Sequence, residues 1–230
     1  RQMCIRDRHY KNKNYSKAME PLRDYIIFNP DSSNVLATFA DILFQEQRYP
    51  ESIDAYQRLY DADSSQVDYL FNIANAYIKM DEMVNAKETL TKYILLGKVD
   101  SEILFTLANI ESELGDHSNA ILHYQMAINL GKPTVNMLYN LAMSYAQKND
   151  YSKALESFEK ALKLDPSDFE ITYQIGICYK ELQAYQEAID YFSLFVEQNP
   201  DDNLAHYILA EIYFLNSNYK LAEVHFLKSI

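Results

Sequence analysis

Small residues recur along this chain at two fixed places in successive blocks of 34 residues. Large apolar residues stand close to them, such as Leu141 before Ala142 and Phe158 soon after Ala154. Two antiparallel helices approach closely only where one side chain is nearly absent, and larger neighbours then fill the gaps. The pattern therefore predicts a packed pair of helices in every block. The small residues are Ala40, Ala74, Ala108, Ala142, Gly176 and Ala210 at the eighth place, and Ala18, Ser52, Ala86, Ala120, Ala154, Ala188 and Ala222 at the twentieth.

Residues that end or begin helices fall between the predicted helices. Prolines stand where a second helix must stop, at Pro30, Pro166 and Pro200. Residues with a side-chain oxygen precede the next first helix and are expected to cap its free amides: Asp100, Thr134, Asp168 and Asp202. Gly97 and Gly131 are expected to adopt the left-handed turn that closes a helix. No stretch alternates in the manner of a strand, so the sequence predicts an all-α fold.

One block carries a clear resemblance to a known family, through Ala142, Tyr145, Tyr151, Ala154, Phe158, Ala161 and Pro166 and their counterparts in other blocks. On these residues the chain resembles the tetratricopeptide repeat (TPR) family. The resemblance implies a right-handed α-solenoid of antiparallel helix pairs with a 34-residue repeat, in one continuous solenoid domain. Its predicted parts are a partial repeat that supplies one second helix, five full repeats and a truncated repeat, at 9–32, 33–66, 67–100, 101–134, 135–168, 169–202 and 203–230.

The two ends of the chain depart from this pattern. Arg6 stands where the eighth place calls for a small residue, and residues 2–8 read QMCIRDR, which matches a translated sequencing adaptor. Residues 1–8 are therefore interpreted as a non-native leader. At the other end the chain stops at Ile230, inside a predicted second helix. We expect that the natural protein continues in both directions, because solenoids need polar terminal units.

Composition excludes several classes of function. The formal net charge is −12 and no basic stripe is present, which argues against nucleic acid and against anionic membrane surfaces as partners. No apolar run is long enough to span a membrane. Cys178 is the only cysteine within the repeats, so no internal disulfide framework is expected, and a cytoplasmic setting is the default.

No motif for catalysis, cofactor binding or metal binding is found. Gly131 and Lys132 lack the earlier glycine and the following Ser or Thr of a phosphate loop, and none of the five histidines forms a metal-ligand pair by spacing. Glu111 and His117 both replace tyrosines, so they form either an acid–base or pH-sensitive pair or a compensated packing change. The sequence therefore predicts no enzyme activity, no cofactor and no metal site in these residues.

In the TPR family the first helix of each pair lines a concave groove, and the resemblance implies binding residues there. A ladder of rings stands at the fifth place: Phe71, Phe105, Tyr139, Tyr173 and Tyr207. Such rings offer large contact area, although packing alone also explains them, since tyrosine is common at this place in the family. Amides stand at the sixth and ninth places: Asn72, Asn75, Asn109, Asn140 and Gln174. One amide per repeat can hold a peptide backbone, as in the similar asparagine ladder of the O-GlcNAc transferase family.

The charge of the predicted groove favours a basic or neutral protein or peptide as partner. Acidic residues recur there, whereas Lys79 and Lys180 are the main cations. The places where cochaperone repeats clamp an acidic C-terminal carboxylate lack Lys and Arg, so such capture is not expected. The acidic residues are Asp41, Asp68, Glu102, Glu113, Glu170, Glu181 and Glu211.

Three functional hypotheses remain open from the sequence. The first is a protein–protein interaction scaffold that binds a peptide or partner domain in the concave groove. The second is a substrate-recruiting arm of a larger enzyme, such as an O-GlcNAc-transferase-like glycosyltransferase. The third is a purely structural role, in which copies stack through their ends.

Overall fold

A computed structural model describes residues 15–29 and 32–230 of the chain. The predicted leader at 1–8, the beginning of the partial repeat and Pro30 lie outside the described residues, as do the side chains of residues 15–18. Over the described ranges the chain forms thirteen α-helices and no strand, which confirms the predicted all-α class.

The helices belong to two compact units, which are described separately. Unit 1, up to Val99, contains α1 (Tyr15–Phe28), α2 (Ser33–Gln45), α3 (Tyr49–Ala62), α4 (Asp68–Lys79) and α5 (Met83–Leu95). Unit 2, from Asp100, contains α6 (Ser101–Glu113), α7 (His117–Leu130), α8 (Val135–Gln147), α9 (Tyr151–Leu164), α10 (Phe169–Glu181), α11 (Tyr185–Gln198), α12 (Asn203–Leu215) and α13 (Tyr219–Lys228). Within each unit every helix packs against the next one along the chain.

Close helix contact occurs at the predicted small residues. The described members of both sets are buried, and each alanine at the eighth place is 0 % exposed. Ser52 on α3 shows how near the backbones come, because its hydroxyl donates to the carbonyl oxygen of Ala40 on α2 at 2.9 Å. The burial of these residues confirms that they form the helix–helix contacts. The exact repeat boundaries and the single continuous domain stay predictions.

Gly176 stands where the other repeats have alanine, and the ring of Phe192 lies directly against it. A Cβ atom at this position would lie 2.8 Å from Cε2 of Phe192, a ring that is itself buried. Glycine therefore permits α10 and α11 to approach each other around that ring.

Four predicted helix caps are present. The side chains of Asp100, Thr134, Asp168 and Asp202 each accept a hydrogen bond from the backbone amide three residues on, at 2.8 to 3.2 Å. They satisfy amides at the starts of α6, α8, α10 and α12, which would otherwise lack a partner. Second helices of unit 2 are capped in the same way by three residues that the sequence analysis did not single out, Asp116, Asp150 and Asn218.

The prediction for Gly131 is wrong, whereas that for Gly97 is confirmed. Gly97 has φ 89°, in the left-handed region. Gly131 has φ −121° and ψ −167°, an extended conformation open to any residue. A Cβ atom at Gly131 would instead lie 2.5 Å from Oγ of Ser101, which donates to the carbonyl oxygen of Ala127. Glycine is needed there for close approach, not for its backbone angles.

The turn between the two helices of a pair uses a left-handed residue in every full repeat and in the truncated one. These residues occupy the fifteenth place, with φ between 58° and 77°, and only one is glycine: Gln47, Asp81, Gly115, Asn149, Gln183 and Ser217. Backbone angles of this kind are costly for residues with a Cβ atom. The same turn geometry therefore recurs along this chain even where the residue type is unfavourable.

Candidate functional site

The predicted site residues lie on the first helices of their pairs and are only partly buried. Seven of these residues lie in unit 2, and we call this set the first-helix face: Phe105, Asn109, Tyr139, Asn140, Tyr173, Gln174 and Tyr207. Six of the seven are of intermediate exposure, and Tyr207 is 52 % exposed. Unit 1 contributes Phe71, Asn72 and Asn75, which are also of intermediate exposure.

Each ring of the first-helix face rests against a ring of the second helix in its own pair. The centroid distances are 5.8 Å for Phe105–Tyr124, 5.5 Å for Tyr139–Phe158, 5.3 Å for Tyr173–Phe192 and 5.7 Å for Tyr207–Phe226. Three of these contacts are edge-to-face, a favoured geometry for aromatic pairs. The contacts hold each ring in place while leaving part of its surface accessible. The rings therefore pack within their helix pairs and still present part of their surface to a ligand.

Two amides of the face are joined across neighbouring repeats. Nδ2 of Asn140 on α8 donates to Oδ1 of Asn109 on α6 at 2.9 Å, and the hydroxyl of Tyr124 donates to the same oxygen at 2.7 Å. Burial raises the pKa of Tyr124 to about 12, so this hydroxyl remains a donor at neutral pH. Within the described residues, Nδ2 of Asn109 and Oδ1 of Asn140 have no hydrogen-bond partner, which leaves one donor and one acceptor for a ligand.

A carboxylate organises the neighbouring part of the face. Oε1 of Glu170 accepts from Nε2 of Gln174 at 2.8 Å and from the hydroxyl of Tyr139 at 3.3 Å. Burial, together with the nearby carboxylate, raises the pKa of Tyr139 to about 12. Glu170 on α10 thus links its own helix pair to the preceding one through Tyr139 on α8, and it adds negative charge to the face.

The residues around the first-helix face of unit 2 are mainly acidic. Nζ of Lys180 lies 2.7 Å from Oε2 of Glu211, so this cation is already paired. Glu102, Glu113 and Glu181 are exposed along the same helices. In unit 1, Oδ1 of Asp68 accepts a hydrogen bond from the hydroxyl of Tyr93 at 3.1 Å and lies 3.2 Å from Nζ of Lys98.

The first of the two alternatives for Glu111 and His117, an acid–base pair, needs correction. Glu111 is only 2 % exposed, and its Oε2 lies 2.6 Å from Nδ1 of His123 on α7. Nδ1 of His117 is buried and has no hydrogen-bond partner among the described residues. His123 therefore supplies the imidazole beside this carboxylate.

Cys178 is buried in the core of unit 2 and is not a reactive site. Burial, with a smaller effect of Glu181, raises the pKa of its thiol to about 12. A thiol with so high a pKa is a poor nucleophile and metal ligand. Over the described ranges, no three His, Cys, Asp or Glu side chains group as a metal site would require. None of the helices there is both long and apolar enough to span a lipid bilayer.

Comparison with family models identifies the repeats. Models with the description tetratricopeptide repeat match residues 67–96, 135–168 and 172–202. Together with the all-helical fold, these matches show that the chain contains tetratricopeptide repeats. A search of the curated proteins found no significant match.

Solved structures with the same fold include two that are described as TPR proteins. YrrB, described as a TPR protein with an unusual peptide-binding site, is 20 % identical with a TM-score of 0.70, over 80 % of this chain and 95 % of its own. MamA from Desulfovibrio magneticus is 20 % identical with a TM-score of 0.65, over 71 % of this chain and 92 % of its own. A TPR protein from Parabacteroides merdae is 13 % identical with a TM-score of 0.66, over 99 % of this chain and 90 % of its own. At these identities the likeness establishes the fold.

Proposed function

We propose that this protein is an interaction scaffold whose first-helix face forms a concave groove that binds an extended peptide or a peptide-like segment of a partner protein. The observation that carries the proposal is the Asn109–Asn140 pair, which is fixed by hydrogen bonds yet keeps a free donor and a free acceptor. A peptide backbone offers the complementary carbonyl and amide groups whatever its sequence.

Preorganisation supports this function. The rings at the fifth place are held by contacts within their own helix pairs, so a ligand does not have to order them. Binding to a face that is already ordered loses less conformational entropy than binding to mobile side chains. The backbone-binding amides and the rigid rings together would give affinity, while the rings would select apolar side chains.

The charge of the face supports a basic or neutral ligand. Glu170 and the exposed Glu102, Glu113 and Glu181 contribute negative potential, and Lys180 is neutralised by Glu211. Complementary charge raises the association rate and excludes acidic competitors. We therefore expect selected ligands to contain Lys or Arg, and their affinity to fall as salt increases.

Peptide display against the full chain tests the proposal. Affinities of selected peptides would be measured for the unaltered protein, for Asn140→Ala and for Tyr139→Ala. We expect each variant to bind about tenfold more weakly, as for central interface residues. Gln186→Ala, which removes an exposed amide from second helix α11, is the matched control and should bind normally. Equal affinities in all four proteins, with unchanged melting curves, would rule out the first-helix face.

A further inference from the structure

A second surface of unit 2 has the features of a binding site. Between the second helices α7 and α9 lies a cavity of about 620 Å³, floored by first helix α8. Its volume falls within the range of ligand pockets, roughly 300–1,000 Å³. Because second helices form its walls, this cavity is separate from the first-helix face.

The floor of the cavity is apolar and ordered. Leu138 and Leu141 from α8 and Ile128 from α7 line it, and both leucines are buried against their own core. The hydroxyl of Tyr145 accepts from Nε2 of Gln125 at 2.7 Å, which links α8 to α7 at the cavity wall. A single apolar side chain entering this space would meet an apolar surface that is already ordered.

The rim of the cavity is basic, although the whole chain carries a formal charge of −12. Three lysines and one carboxylate, Glu156, line the cavity. Lys153 is paired with Asp150 at 2.7 Å. Lys160 and Lys163 are exposed and have no ion pair among the described residues, so two cations on one side of the cavity are available to a ligand.

The corresponding cavity of unit 1 shows that this charge is not a general property of the fold. Between α1 and α3, Arg23 and Arg58 line that cavity together with two carboxylates, Glu51 and Asp54. Cations and anions balance there. The surplus of cations is therefore a particular feature of the α7–α9 cavity.

We propose that the α7–α9 cavity binds an acidic segment of a partner protein, with one apolar side chain on the floor formed by Leu138 and Leu141 and flanking carboxylates at Lys160 and Lys163. The charge of this ligand is opposite to that expected at the first-helix face. The chain would then hold two chemically different segments at once. This site does not depend on the function proposed for the other face.

The test uses the full chain and a defined probe. The probe is a degenerate pool of heptapeptides in which a central Leu, Ile or Phe is flanked by Asp and Glu, and its counterpart pool carries Lys instead. Binding is followed by methyl NMR at Ile128 and Leu141 and by fluorescence anisotropy of the labelled pools. We expect saturable binding of the acidic pool, with shifts of these methyl signals, and no binding of the basic pool at this cavity.

Variants with the same change in charge, inside and outside the cavity, distinguish binding at the cavity from a general effect of the protein's net charge. Lys160→Glu and Lys163→Glu should each weaken binding of the acidic pool by roughly tenfold, because each places a like charge against the ligand. Lys220→Glu, at an exposed lysine of α13 outside this cavity, is the control and should have no such effect. Melting curves confirm that the variants fold.

Three results would overturn the proposal. They are an equal loss in the Lys220→Glu control, methyl shifts elsewhere than at the cavity, and no saturable binding of the acidic pool. Sodium laurate, which combines a carboxylate with an alkyl chain, is tested in parallel. Binding of laurate at Ile128 and Leu141 without binding of the peptide pool would assign the cavity to a lipid-like ligand and contradict the inference.

Discussion

The Nδ1 atoms of His206 and His225 lie 3.0 Å apart, and Nε2 of His206 lies 3.0 Å from the carbonyl oxygen of Pro200. A carbonyl oxygen only accepts, so Nε2 of His206 carries the hydrogen. In a neutral His206 ring Nδ1 is then an acceptor, and the hydrogen between the rings belongs to His225. Tyr213 stacks on His225 at 5.5 Å and holds it in place.

We predict that unit 2 loses stability in mild acid because of this pair. Burial, together with His206 and Lys228, lowers the pKa of His225 in the folded chain. Its contribution to the free energy of unfolding is therefore complete above about pH 6.5, the ordinary pKa of histidine. The contribution is lost as pH falls from there through the lowered folded-state pKa, because the unfolded chain takes up the proton more readily.

Thermal unfolding between pH 7.5 and pH 5 measures this effect, in about 0.1 M salt, where charges are screened over about 10 Å. His225→Asn keeps a side-chain N–H near His206 but does not titrate, so its melting temperature should depend less on pH. An equal pH dependence in the variant and the unaltered protein would show that the histidine pair is not responsible.

The second prediction concerns the buried carboxylate of Glu111. His123→Ala removes the imidazole 2.6 Å from Oε2 of Glu111 and leaves that oxygen less well satisfied in the core. We expect the free energy of unfolding to fall by about 1–3 kcal/mol. His117→Phe is the matched control, since Nδ1 of His117 already lacks a partner and its loss should cost less than about 0.5 kcal/mol. Urea denaturation of both variants makes the comparison, and the reverse order of stabilities would contradict it.

The periodic apolar pattern was sufficient to predict the helix pairs and their contacts. Small residues such as Ala142 and Ala154 were informative because two helix backbones can approach closely only where the side chain is small. Caps such as Asp168 were predictable because the bond is local, from a side chain to an amide three residues on. The ring and amide positions follow from the register and the family resemblance, but their role in binding remains a prediction.

Contacts between polar side chains were less predictable because they depend on rotamers as well as register. Glu111 contacts His123 and not His117, and His225 contacts His206 on the first helix of its pair. The repeat register did contain a clue to both contacts. His123 and His225 occupy the same twenty-third place, and each contacts the first helix of its own pair. Gly131 was misinterpreted for a related reason, because the Ser101 side chain that requires glycine is distant in sequence.

The third prediction uses the left-handed residue of the turn within each repeat. Gly115 has φ 77°, whereas Gln183 has φ 60° at the equivalent place. Gly115→Ala should destabilise the protein and Gln183→Gly should stabilise it, each by about 1 kcal/mol, because a Cβ atom is unfavourable in this region. A Cβ atom at Gly115 would enter open space, with nothing within 4 Å, so the backbone effect is isolated from packing. Calorimetric melting that shows the same sign for both variants would contradict the explanation.

The fourth prediction tests the close contact of helices in a pair. Ala154 is 0 % exposed, so Ala154→Leu must push α8 and α9 apart or force neighbouring side chains out of their rotamers. We expect a loss of roughly 1–3 kcal/mol in the free energy of unfolding. Ala62→Leu, at an exposed position near the end of α3, is the control and should stay within about 0.5 kcal/mol. Chemical denaturation that finds the two variants equally stable would show that close packing at Ala154 is not limiting.

Peptide binding at the first-helix face is tested most directly by NMR of side-chain amides. A display-selected peptide is titrated into the full chain while the Asn109, Asn140 and Gln174 side-chain signals are recorded. We expect saturable shifts of Asn109 and Asn140, with a smaller shift at the exposed Gln186 on α11. Saturable binding that leaves Asn109 and Asn140 unchanged while signals on the second helices move would contradict binding at this face.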